Sequence, residues 1–160
     1  MIEHEQISEK CKILWKENFE LTTEKYKQVS GYIFNEKNEL LIVKNKDTWT
    51  IPGGHPELYE YTIGTLIREV MEEACVSIKN IKYLGAVEVL EEKEKYYQLR
   101  YIAKVDKIYE FKKEYEISER KFIKLEELNK YIKWSEEITF KAQLESAQKI
   151  INSLEDRKRW

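Results

Sequence analysis

The run from Thr48 to Val76, TWTIPGGHPELYEYTIGTLIREVMEEACV, constrains the fold more than any other part of the chain. Thr48-Trp49-Thr50-Ile51 has the β-branched and aromatic character of a short strand. Pro52-Gly53-Gly54 stops it, and paired glycines let a backbone turn tightly and bring its own amides and carbonyls close to a ligand. Beyond the turn, Ile63, Leu66, Ile67, Val70 and Ala74 recur with helical period, and Thr62 is the expected N-cap. The unit reads as strand, glycine turn and helix, with the apolar stripe facing a core.

The same helix carries Glu69, Glu72 and Glu73 at i, i+3 and i+4, which stacks three carboxylates on one face. Like charges placed this way repel, so the arrangement costs stability unless something positive sits over it. A hard divalent cation such as Mg²⁺ prefers carboxylate oxygens and shares its coordination shell with substrate phosphates. A strand, a Gly-rich turn and an acidic helix face therefore suit phosphate and metal, by a route different from the lysine-bearing P-loop.

This segment resembles the signature box of the Nudix hydrolases, G-x(5)-E-x(7)-R-E-U-x-E-E-x-G-U, where U is a bulky aliphatic residue. Gly54, Glu60, Arg68, Glu69, Val70, Glu72, Glu73 and Val76 match it. Cys75 stands where the box ends its helix with glycine, in a left-handed conformation that is cheap only without a Cβ. Tyr59 replaces another glycine common in the box, and Tyr61 stands where small or polar residues are usual.

The resemblance implies an α/β/α sandwich, a mixed β-sheet flanked by helices, and metal-dependent phosphoanhydride hydrolysis. It implies that Glu69, Glu72 and Glu73 hold Mg²⁺ or Mn²⁺, with the Gly53 carbonyl as a further ligand. Glu69 is then the expected general base, and Glu60 and Arg68 form a supporting salt bridge. Some members use a distal glutamate, expected just before the strand that begins near Lys121. Glu114, Glu116 and Glu119 lie there, with Glu116 the first choice and Glu119 the second. Replacing Glu116 with Gln is expected to cut turnover. Gly54, His55 and Lys44 are candidates for substrate contact, although loop histidines and surface lysines are more often simply solvated. Trp49, Tyr59, Tyr96, Tyr97 and Tyr101 could stack on a nucleobase, but strand aromatics more often belong to a core.

The remaining sequence supplies scaffold. Residues 27–34 and 40–44 read as a hairpin around Asn35-Glu36-Lys37-Asn38, and 81–90 and 96–105 as a strand pair around Glu91-Glu92-Lys93-Glu94. A short strand at 120–124 precedes a helical stretch at 125–132. Ser135 is the expected cap of a final helix from about 136 to 154, with Ile138, Phe140, Leu144, Ala147, Ile150 and Ile151 as its apolar positions. Residues 1–25 fit helix and strand equally, and the basic end from Arg157 to Trp160 reads as a frayed terminus.

The length of 160 residues suits one domain spanning residues 1–160, with 1–25 as an N-terminal extension. A net charge of −2 gives no hint of nonspecific nucleic-acid or membrane binding. No apolar run is long enough to span a membrane and residues 1–5 are no signal peptide, so a cytoplasmic location is expected. Cys11 and Cys75 share no metal-ligand spacing and are expected to stay reduced. The expected partner is a small nucleotide substrate, without specific nucleic-acid binding. A homodimer is an open outcome.

Substrate markers are few. No proline follows Pro56, and Tyr96 and Tyr97 lie a little beyond the tyrosine spacing of dinucleoside polyphosphate hydrolases. A nucleoside triphosphate, or another nucleoside diphosphate linked to a variable group, is the default by analogy. The alternative is a nucleotide- or metabolite-sensing module that kept the fold and lost turnover.

Overall fold

A computed structural model of the chain describes residues 2–8, 11–22, 25–113 and 116–158, the side chains of 2–8 and 155–158 excepted. Glu114 and the Arg159-Trp160 end lie outside the described residues.

Among the described residues nine strands form one sheet: β1 (Ile2–Ser8), β2 (Cys11–Glu17), β3 (Tyr26–Phe34), β4 (Leu40–Asn45), β5 (Thr48–Thr50), β6 (Gly53–Gly54), β7 (Val76–Glu91), β8 (Glu94–Ile108) and β9 (Ile117–Ile123). The main path runs β1-β2-β7-β8-β3-β4-β5, with β6 pairing β3 and β9 pairing β4. The sheet is mixed, since β3 runs parallel to β8 while β7 and β8 are antiparallel. Residues 1–25, undecided from sequence, contribute the antiparallel pair β1 and β2, and β2 extends the sheet along β7.

The helix α1 (Thr62–Ala74) covers one face and α3 (Ile138–Lys158) the other. Strand alternation divides the core between them. Tyr32 and Phe34 of β3 and Ile42 of β4 join Phe140, Ala147 and Ile151 of α3. Val29 and Ile33 of β3 and Leu41 and Val43 of β4 join Leu66, Val70 and Ala74 of α1. This is the expected α/β/α sandwich. Gly31 allows the close approach of α1, because a Cβ there would stand 2.9 Å from Leu66 Cδ1. Among the described residues no helix is long and apolar enough to cross a membrane.

Three local expectations need correction. Thr62 is the first helical residue rather than the cap. Tyr61 holds the N-cap position without a side-chain hydrogen bond, and the Thr62 hydroxyl instead meets the Tyr101 hydroxyl at 2.6 Å. Ile63 and Ile67 leave the core stripe, at 43% and 45% exposure, because the helix seats Thr65, Leu66, Val70 and Ala74 on the sheet. Ser135 caps nothing: α3 starts at Ile138, itself exposed, and the buried Ser135 Oγ has no partner among the described residues. The helical stretch expected near 125–132 forms, as a 3-10 turn (Leu125–Glu127) followed by the one-turn helix α2 (Leu128–Tyr131).

Candidate active site

The strand, turn and helix read from residues 48–76 fold as β5, β6 and α1. Strand β6 is only Gly53 and Gly54, yet it is pinned. Gly53 pairs with Ser30 and Gly54 with Val29, while the Gly31 amide donates to the Pro52 carbonyl. The turn is therefore part of the sheet edge, a rigid platform for the acids of α1.

Two of those acids reach the turn. The Gly53 amide donates to Glu73 Oε1 at 2.7 Å. The Glu69 carboxylate lies against the Cα of Gly54, where a Cβ would collide with it. Glu72 stands one turn away on the same helical face as Glu69.

Arg68 organises the loop that joins turn to helix. Its Nε donates to Glu60 Oε2 at 2.7 Å and its Nη2 to Glu60 Oε1 at 3.0 Å and to the His55 carbonyl at 3.0 Å. Its Nη1 donates to Glu69 Oε1 at 2.9 Å and to Glu72 Oε2 at 3.2 Å. Glu60 also accepts from the Thr65 hydroxyl at 2.6 Å and the Glu57 amide at 3.0 Å.

The electrostatics follow from these contacts. The Arg68 fork, then the Thr65 hydroxyl and the Glu57 amide, hold the Glu60 carboxyl down at about 2. Glu73 is pushed up to about 7, first by burial, against the pull of the Gly53 amide, with the Glu69 and Glu72 charges adding to the rise. Burial also raises Glu69, against the pull of Arg68. One guanidinium thus faces more carboxylates than it can neutralise.

That surplus is chemically matched to a hard divalent cation, which takes carboxylate and carbonyl oxygens. Among the described residues no three His, Cys, Asp or Glu side chains are gathered as a ready cage. Arg68 engages both Glu69 and Glu72. Holding an ion would require these two carboxylates to exchange the guanidinium for it.

The chain matches the model of the NUDIX domain over residues 25–144. It belongs to the Nudix family. Family membership places it among the Nudix-type pyrophosphohydrolases. Solved structures share the fold. A mutant of the Bacillus subtilis pyrophosphohydrolase BsRppH is 19% identical, with a TM-score of 0.76 over 87% of this chain and 91% of that one. A NUDIX hydrolase from Nitrosomonas europaea is 18% identical, with a TM-score of 0.64 over 76% and 88%. A C. elegans Ap4A hydrolase is 19% identical, with a TM-score of 0.58 over 79% and 99%. A search of the curated proteins finds no match.

The Nudix box departs from its pattern at two glycines, and both positions are left-handed here. Tyr59 has φ 64° and is 94% exposed, and Cys75 has φ 55° at the C-cap of α1. The Cys75 amide still closes the helix onto the Met71 carbonyl at 3.0 Å. Arg120 Nη1 bonds the Ala74 carbonyl at 2.7 Å, which ties β9 to the same helix end.

Among the described residues, the side chains of the other candidates make no contact with these acids. The exposed His55 turns its Nδ1 onto the Lys27 carbonyl. Lys44 Nζ sits 6.0 Å from the centre of the Trp49 ring. The Glu116 side chain is exposed, and its carbonyl accepts from the Lys46 amide at the β4–β5 turn. Glu119 is exposed and pairs in register with Lys44. Trp49 packs edge-on against Tyr131, and Tyr97 stacks on Phe19.

Sequence reasoning missed a second polar group on the opposite face of the sheet. Gln28, Ser30, Gln98 and Arg100 occupy positions of β3 and β8 where alternation calls for core residues, and with Gln143 of α3 they line a cavity. Polar side chains at inward strand positions were the available signal.

Proposed function

We propose that the chain hydrolyses a phosphoanhydride bond in a nucleoside diphosphate linked to a variable group, with a nucleoside triphosphate the first candidate. The observation that carries this reading is the placement of Glu69 and Glu73 against the Gly53-Gly54 turn, beside a guanidinium that already compensates Glu69 and Glu72. Relatives in fold support it: those structures are a pyrophosphohydrolase, an Ap4A hydrolase and a UDP-X diphosphatase.

Glu69, Glu72, Glu73 and the Gly53 carbonyl would hold Mg²⁺ or Mn²⁺, which when bound neutralises charge spread over the phosphate oxygens. The rest falls to the chain. Glu69 takes the proton of the attacking water. Arg68 and Glu60 lock the loop so that Gly54 and His55 present backbone and imidazole to the phosphates. Lys44 is a more remote candidate for phosphate contact, and the exposed Glu116 is the alternative base.

A second reading, a binding module with weak turnover, is favoured by the hold of Arg68 on two of the three carboxylates. Product analysis over nucleoside triphosphates, dinucleoside polyphosphates and nucleotide sugars, with Mg²⁺ or Mn²⁺, separates the two. Metal-dependent cleavage of one class supports the enzyme. Nucleotide binding without cleavage across the panel supports the module.

A further inference from the structure

Arg100 is 92% buried, since only 8% of it is exposed, in the middle of the sheet and on the face away from α1. A charge taken so far out of water normally faces a carboxylate. Here its partners among the described residues are neutral. Nε donates to Gln143 Oε1 at 3.2 Å, Nη1 to Gln28 Oε1 at 3.2 Å and to the Leu99 carbonyl at 3.3 Å, and Nη2 to Gln98 Oε1 at 3.0 Å. A guanidinium has five N–H donors, so one on Nη2 is left over.

The glutamines carry this donor surplus outward. Each turns its oxygen to Arg100, and Gln143 Oε1 also accepts from the Tyr32 hydroxyl at 2.7 Å. Their amino groups have no hydrogen-bond partner among the described residues, and the three side chains line a cavity of about 260 Å³. The apolar walls include Ile51, Val87, Trp134 and Phe140, with Trp134 and Phe140 edge to face at 4.6 Å. Glu137 supplies a carboxylate to the lining.

Size, walls and donors define the occupant. The volume lies below the ~300 Å³ lower end of pockets for drug-sized ligands, which suits one flat ring system. Apolar and aromatic walls suit the faces of such a ring. The donors require acceptor oxygen at its edge, and an exocyclic amino group in that place would leave donor facing donor. The cavity lies across the sheet from the acid cluster, and the backbone of the glycine turn is common to both. Ser30 lines it while pairing with Gly53, and Ile51 precedes Pro52-Gly53.

Building on the proposed nucleotide hydrolysis, we infer that Arg100, with Gln28, Gln98 and Gln143, makes this cavity selective for keto bases. A 6-oxopurine or 4-oxopyrimidine ring is accepted, and the 6-amino and 4-amino rings are disfavoured.

The test is calorimetric binding of inosine 5′-monophosphate and adenosine 5′-monophosphate to the metal-free protein, a pair that differs at the 6-position and its neighbouring ring nitrogen. The expected result is inosine monophosphate bound at least about fivefold more tightly, the low end of what a good side-chain-to-base pair discriminates. Gln98→Glu, at a half-buried position, gives Arg100 a carboxylate and is expected to bring the two affinities to near parity with the fold intact. Equal binding in the wild type, no binding of either, or a preference that survives Gln98→Glu overturns the inference. Metal-dependent turnover of triphosphates without base preference would overturn it too, while leaving the hydrolase reading standing. Absence of turnover alongside a clear inosine preference would instead overturn the hydrolase reading.

Discussion

Arg68 and Glu60 meet fork to fork, with Nε to Oε2 at 2.7 Å and Nη2 to Oε1 at 3.0 Å. The pair closes the loop between the glycine turn and α1, and it fixes Arg68 where Nη1 can reach Glu69 and Glu72. A planar guanidinium can hold all three carboxylates and the His55 carbonyl together, and a lysine ammonium cannot match that fork. Arg68→Lys is expected to cost about 2 kcal/mol of metal-free stability, the scale of one or two hydrogen bonds to charged groups. Urea unfolding with magnesium removed by chelator checks it, and unchanged stability would show that the fork does not secure the loop.

Glu60 gives this pairing a pH signature. Its carboxyl is held at about 2, below the ordinary 4.5, so the stabilisation is fully present above about 4.5 and is lost as pH falls through about 2. Glu60→Gln lacks that contribution. The stability difference between wild type and Glu60→Gln should therefore shrink between pH 4.5 and 2 and stay constant above it. A difference that does not vary across that window would contradict the assignment.

Tyr59 and Cys75 occupy left-handed backbone where glycine is favoured. An L-residue there costs roughly 1–2 kcal/mol, partly offset because glycine enlarges the entropy of the unfolded chain. Tyr59→Gly and Cys75→Gly should each raise stability by up to about 1 kcal/mol. The gain should be smaller at Cys75, whose Sγ accepts the Lys112 amide at 3.4 Å. Thermal melts of the two single variants decide this, and a loss at Tyr59 would mean that its ring does more than sit in solvent.

Glu73→Gln keeps an oxygen for the Gly53 amide while removing a charge from the acid cluster. Without metal, the variant should melt at or above the wild-type temperature. With the ion at about 100 times its Kd, wild type should gain ~2.7 kcal/mol, and the variant much less. Equal stabilisation of both by Mg²⁺ would remove Glu73 from the ion's ligands.

The site's backbone was legible because its signals are local. The glycine pair, the helical period and the i, i+3, i+4 acids each depend on a few neighbouring residues, and β5, β6 and α1 form where those residues indicate. The missing box glycine at Cys75 pointed to a left-handed position and that position is left-handed, while the left-handed backbone at Tyr59 was not read from sequence. What sequence could not show depends on tertiary seating. Ile63 and Ile67 fit a helical stripe, yet the rotation of α1 on the sheet is set by the gap at Gly31, which admits Leu66. Residues 1–25 read either way because β2 takes its place in the sheet by pairing with β7, far along the chain, as well as with β1. The Arg100 cluster joins β3, β8 and α3, and its only local trace is a set of polar side chains at inward strand positions.

Metal-dependent phosphoanhydride cleavage by the acids on α1 is decided by steady-state hydrolysis of a nucleoside triphosphate panel by wild type and Glu69→Gln, with and without Mg²⁺ or Mn²⁺. Turnover is expected only with metal, with a kcat lowered by at least about a hundredfold in Glu69→Gln, the scale of a lost general base. Turnover that ignores metal, or that survives in Glu69→Gln, would contradict it.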